Sequence, residues 1–260
     1  MKKSLLIILA FVVTASGTHA QDSLLNKHSL NFPTNKYGIS IGNSHTFNGI
    51  RLNFAEANVK TINGINITCS ARFAKNTEAF VNGISVGILP TGGTFRFLNL
   101  GVLGVGAHHE ISGLTFASVV VGSSGRLNGL SACAAVTIAD TITGVVVSGL
   151  LLGSRKANGL IIGGLYVVSD ADINGVSSSL GFIQCDNKFN GVALTPGYLK
   201  SDTLNGFAIA SYNNVRQMKG MSVALLNRTI NLHGIQLGLI NYAENNPKWL
   251  RILPFINFHI

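Results

Sequence analysis

The chain has 260 residues; 47% are hydrophobic, only 11% are charged, 30 are glycine, and the formal net charge is +9. Such a composition excludes a disordered chain, which combines low hydrophobicity with many charges. It also argues against a helical bundle or coiled coil, which are built from Ala, Glu, Lys, Leu and Arg with little Gly.

Residues 1–20 read as a secretory signal peptide. Lys2 and Lys3 precede the apolar run Leu5 to Val13, and Thr18-His19-Ala20 offers small residues for cleavage before Gln21. No Cys follows the run, which argues against a lipid-anchored form. Cleavage removes two lysines and no acid, so the charge falls from +9 to +7. A basic chain favours acidic partners. Its cations are nevertheless scattered: Arg155-Lys156 is the one adjacent pair in the mature chain, so no nucleic-acid partner is expected. Residues 21–47, with Pro33 and Tyr37 to Gly42, read as an N-terminal cap or first coil.

From residue 48 a repeat dominates. Asn-Gly followed by an apolar residue occurs at Asn48-Gly49, Asn63-Gly64, Asn82-Gly83, Asn128-Gly129, Asn158-Gly159, Asn174-Gly175, Asn190-Gly191 and Asn205-Gly206. Softer copies place Gly113, Gly144, Gly220 and Gly234 in the same role, and Phe97 takes the glycine's place once. Successive landmarks lie 15, 19, 14, 16, 16, 15, 15, 16, 16, 15, 14 and 14 residues apart. After each landmark come aliphatics at the first and third positions and small residues near the fourth and fifth. Further aliphatics follow near the sixth and eighth, then a polar stretch. Leu160, Ile162, Gly163-Gly164, Leu165 and Val167 show the pattern.

Alternation within each half predicts two short strands with the aliphatics facing inward, joined by a tight corner at the small pair. A single unit cannot bury its apolar face, whereas stacked copies share one core. The sequence therefore predicts an all-β fold: a β-solenoid of roughly 13 short coils over 48–241, on the order of 60 Å long at ~4.8 Å per coil. Residues 242–260 form a C-terminal cap strand. The alternative is an up-and-down outer-membrane β-barrel, since Asn-Gly is also the strongest short hairpin signal. Against it stand the slip of the apolar phase within most units and the scarcity of Trp and Tyr, which total six.

The stretch Gly234-Ile235-Gln236-Leu237-Gly238-Leu239-Ile240-Asn241-Tyr242-Ala243 and the tail Asn245 to Asn257 resemble exported surface-repeat proteins of Gram-negative bacteria, found in leptospires and Bacteroidetes. The resemblance covers roughly residues 48–260, although the middle copies lack the Gln and the later Asn. It implies export and surface display and brings no catalytic residue.

Chemistry-bearing motifs are sparse. His108 and His109 are adjacent and point to opposite faces of a strand, which suits a solvated turn better than a metal site. Asp170 and Asp172 read as an ordinary turn. Cys69, Cys133 and Cys185 are odd in number, so no complete disulfide framework is expected; the main reading is three free thiols, the lesser one a Cys133–Cys185 bridge. No catalytic residue, cofactor or metal is predicted. The expectation is a non-enzymatic exported structural or interaction protein at the cell surface, outer membrane or periplasm, with envelope glycans, the outer membrane or other surface proteins as partners. The alternatives are a barrel acting as a channel or surface protein and a polysaccharide-acting solenoid enzyme.

Overall fold

A computed structural model describes residues 29–54, 59–69 and 78–259. The signal-peptide reading of 1–20 lies outside them. The strands are β1 (Ser29–Pro33), β2 (Tyr37–Gly42), β3 (Thr46–Asn53), β4 (Thr61–Thr68), β5 (Phe80–Gly87), β6 (Thr91–Gly101), β7 (Gly104–Ala117) and β8 (Val120–Cys133). They continue as β9 (Val136–Ser148), β10 (Leu151–Gly163), β11 (Tyr166–Ser169), β12 (Ile173–Ser179), β13 (Phe182–Leu194), β14 (Tyr198–Ala243) and β15 (Ile252–His259).

The strands from β2 to β13 pair in parallel, each with the same segment of the next coil. The landmarks stack on one another: Gly49 on Gly64, Gly64 on Gly83, Gly83 on Phe97, Phe97 on Gly113, and onward to Gly191 on Gly206. The protein is a β-solenoid of about 11 turns and not a barrel. Parallel neighbours rule out the up-and-down form, whose consecutive strands alternate in direction. The turns are fewer than the predicted 13 because early coils are incomplete: among the described residues, β3, β4 and β5 pair along one side only, and a second ladder begins at Thr91. Antiparallel strands cover both ends, β1 on β2 and β15 on the end of β14.

The first half of each unit faces opposite to expectation. The inward residues are those two before and two after each landmark, such as Ile142 and Val146 around Gly144, and Ala157 and Ile161 around Gly159. The aliphatics at the first and third positions point outward; Ile162, expected in the core, is half-buried. The eighth position does face inward, as with Val121, Leu152, Val167 and Ile183. A coil of about fifteen residues has a narrow interior, filled by two columns of large side chains, one from each wall. The second position after the landmark is small or polar in most coils, as with Ser131, Ser177, Ala193 and Ala208, and large in the middle ones, as with Val146 and Ile161. Small and polar residues there read as solvent-facing in the sequence, which inverts the assignment.

Candidate functional surface

The landmark glycines fix the geometry of one corner. Gly159 has φ of +120°, and a β-carbon on it would lie 2.1 Å from the carbonyl oxygen of Gly144. The stacking therefore needs both a left-handed backbone and the missing side chain. The preceding asparagines point out beside this ladder and join neighbouring coils. Asn63 Nδ2 donates to Asn48 Oδ1 at 2.6 Å and Asn82 to Asn63 at 2.9 Å. A second run links Asn174 to Asn158 at 2.8 Å, then Asn190 to Asn174 and Asn205 to Asn190, both at 2.7 Å. Asn128 instead donates to Glu110 Oε1 at 3.0 Å, because Arg96, Ser112 and Thr143 interrupt the column. These residues form a structural seam.

The acids are held by neighbours along the same edge. Asp140 accepts from Arg155 Nε at 2.6 Å and Nη2 at 2.9 Å, and Asp202 from Arg216 at 3.0 Å. Asn187 donates to Asp172 at 2.8 Å, and Gln184 donates to Asp186. The Arg155 guanidinium holds the Asp140 carboxyl below its ordinary range, against a smaller opposing effect of burial. His109 Nε2 lies 3.9 Å from Glu78 Oε1. Among the described residues, no three His, Cys, Asp or Glu side chains gather where they would hold a metal ion.

All three cysteines are free, so the Cys133–Cys185 bridge does not form. Cys69 is exposed, whereas Cys133 and Cys185 are buried. Burial pushes the Cys185 thiol up to about 11, which makes it a poor nucleophile.

An outward apolar face is a feature that sequence reasoning missed. Every residue immediately after a landmark, from Ile50 to Ile235, is aliphatic, Phe or Met. These side chains point outward: Leu114 is 46% exposed and Leu160 37%, each partly covered by its copies in adjacent coils. The third position continues the face with Leu52, Phe116, Val147 and Ile209. Past the corner come the exposed Val119, Leu150, Leu165 and Leu225. A shallow apolar groove of about 580 Å³ follows this corner between Val86 and Val147. Monomeric proteins rarely leave so continuous an apolar surface unoccupied.

Charge is segregated to the opposite flank. Between residues 98 and 243 every Asp, Glu, Lys and Arg falls within the six positions before a landmark, and none within the seven after one. This regularity was available in the sequence, and it marks the first seven positions as a separate, charge-free flank. Where the two flanks meet, Tyr166, Phe182, Tyr198 and Tyr212 stack in a column, with ring centroids 6.4, 5.0 and 5.1 Å apart. Asn214 donates to the Tyr198 hydroxyl at 3.0 Å. No helix among the described residues is long and apolar enough to cross a membrane. Comparison of the chain with protein-family models, curated proteins and solved structures returns no match.

Proposed function

We propose that this protein is a non-enzymatic structural or interaction module, exported through the secretory pathway and held at the cell envelope. The observation that carries the reading is the apolar flank running along the stack from Ile50 to Ile235, free of charged residues from Leu98 onward. Export is supported by the Lys2-Lys3 start, the short apolar run and the small residues before Gln21. The likeness of the Gly234 to Ala243 unit to exported surface-repeat proteins points the same way. A non-enzymatic role is supported by the acids, which are spaced along one edge and engaged by Arg155, Asn187, Gln184 and Arg216.

Cells producing the protein are separated into cytoplasm, periplasm, membranes and medium, and intact cells are treated with an added protease. The mature chain is expected in the envelope fractions. Full-length chain retained in the cytoplasm with its leader uncut would overturn the reading.

A further inference from the structure

We infer that the apolar flank is a lipid-contacting surface: the rod lies lengthwise on an anionic membrane leaflet, its charge-free side among the acyl chains and its charged side in water. This rests on the envelope reading above and names the occupant of that flank.

Three observations select lipid over a protein partner. First, the apolar surface turns a corner. It covers the outward columns of the first strand, including Leu130 and Val145, and continues past the bend through Leu150 and Leu165. A second rigid copy seated on one plane leaves the other plane wet, whereas fluid hydrocarbon covers both. Second, the border carries an aromatic column of three tyrosines and one phenylalanine. Tyrosine has an apolar ring and a polar tip, and it collects where hydrocarbon meets water. Third, the charged flank turns basic past Asp186: Asp170, Asp172 and Asp186 lie beside the start of the column, and from residue 188 to 228 the flank carries Lys188, Lys200, Arg216, Lys219 and Arg228 against the single acid Asp202. An apolar face bordered by cations binds interfaces through buried area plus attraction to anionic headgroups. The charge-free window fits the same cause, because a lone charge placed in hydrocarbon is costly.

The test uses the full chain with Trp249, the one tryptophan, replaced by Phe. New tryptophans are introduced separately as Val176→Trp on the apolar flank and Lys188→Trp on the charged flank. Each variant is mixed with vesicles of phosphatidylglycerol and phosphatidylcholine, with and without brominated acyl chains. The tryptophan at 176 is expected to shift to shorter wavelength and be quenched by bromine, and that at 188 to do neither. A triple variant, Leu160→Glu, Val176→Glu and Ile209→Glu, checked for folding by circular dichroism, is expected to bind these vesicles roughly tenfold more weakly or worse. Sedimentation with vesicles but no quenching at 176 would overturn the inference, since the leader or charge alone then holds the chain. A doubled mass without lipid, with the tryptophan at 176 buried, would overturn it in favour of a second copy. Both of those results leave envelope association standing, which fractionation judges separately. A monomer that ignores vesicles would also overturn it.

Discussion

The middle coils and the last coils share one backbone stack but close it on different chemistry. Around Gly144 and Gly159 the interior is hydrocarbon: Ile142, Val146, Leu152, Ile161 and Val167 are buried. Around Gly220 and Gly234 the hydrocarbon of Met218 and Leu232 shares the interior with a chain of buried amides. Asn213 donates to Asn227 Oδ1 at 2.9 Å, Asn227 to Asn241 Oδ1 at 2.8 Å, and Gln236 to the Thr229 hydroxyl at 2.8 Å, all of them buried. Hydrocarbon tolerates a shifted neighbour, whereas a buried amide is satisfied only when its copy sits in register. The end coils thus fix their own alignment, and the cap completes them: Asn246 donates to Asn257 of β15 at 2.7 Å.

The sharpest way to break this comparison is a charge in the middle core. Ile161→Asp buries a lone carboxylate among hydrocarbon and is expected to cost about 4 kcal/mol or more, enough to prevent folding. Ile162→Asp, one residue on and facing outward, should fold with urea stability within roughly 1 kcal/mol of the parent. Equal effects of the two would mean that the inward and outward columns are exchanged.

Next in size is the landmark ladder. Gly159→Ala is expected to cost about 3 kcal/mol, because alanine is strained at a φ of +120° and its methyl group meets the Gly144 carbonyl. At the end of the stack, Asn227→Ala should cost about 2 kcal/mol by leaving the buried amides of Asn213 and Asn241 short of a partner. Urea melts of each variant check both values. Near-neutrality of Asn227→Ala would show that water replaces the lost amide and that the end coils do not set their own register. Phe97→Gly acts in the opposite direction. Phe97 is the one non-glycine in the described landmark ladder, with φ of 92° and an exposed ring. Relief of strain exceeds the entropy cost of glycine only narrowly, so a gain of at most about 1 kcal/mol is expected.

The stack was legible because its signal is redundant: a dozen Asn-Gly or similar landmarks at near-constant spacing leave few folds that place like on like. The corner at Gly163-Gly164 was legible for the same reason, since a β-carbon on Gly164 would lie 1.7 Å from the Gly149 carbonyl oxygen. The facing of the first strand was not. Alternation gives the two sides of a strand but not which one is inside. Hydrophobicity settles that question only when the other side meets water. Here Leu160 and Ile162 lie outside and Ser131 and Ser177 inside, so the usual sign is reversed. The interior amide chain from Asn213 to Asn241 was hidden by the same inversion. The charge-free window was the clue that resolves it, because it records which flank stays away from ions.

The smallest effect separates the middle from the ends by its charged edge. Asp140 is paired with Arg155 in a two-point contact and accepts a further bond from Thr141 at 3.2 Å. Its carboxyl is held below the ordinary value chiefly by the Arg155 hydrogen bond. A lowered folded pKa means that the unfolded chain takes up the proton first as pH falls. The pair's contribution is therefore fully present above about pH 4 and is lost as pH drops through the depressed folded value. Both partners are partly exposed, so salt screens the attraction and the contribution is small. Asp140→Asn should remove this part of the acid dependence, so that the stability difference from the parent, read as urea midpoints, shrinks between pH 5 and pH 2. A difference that persists at pH 2 would assign Asp140 a packing role in place of an ionic one.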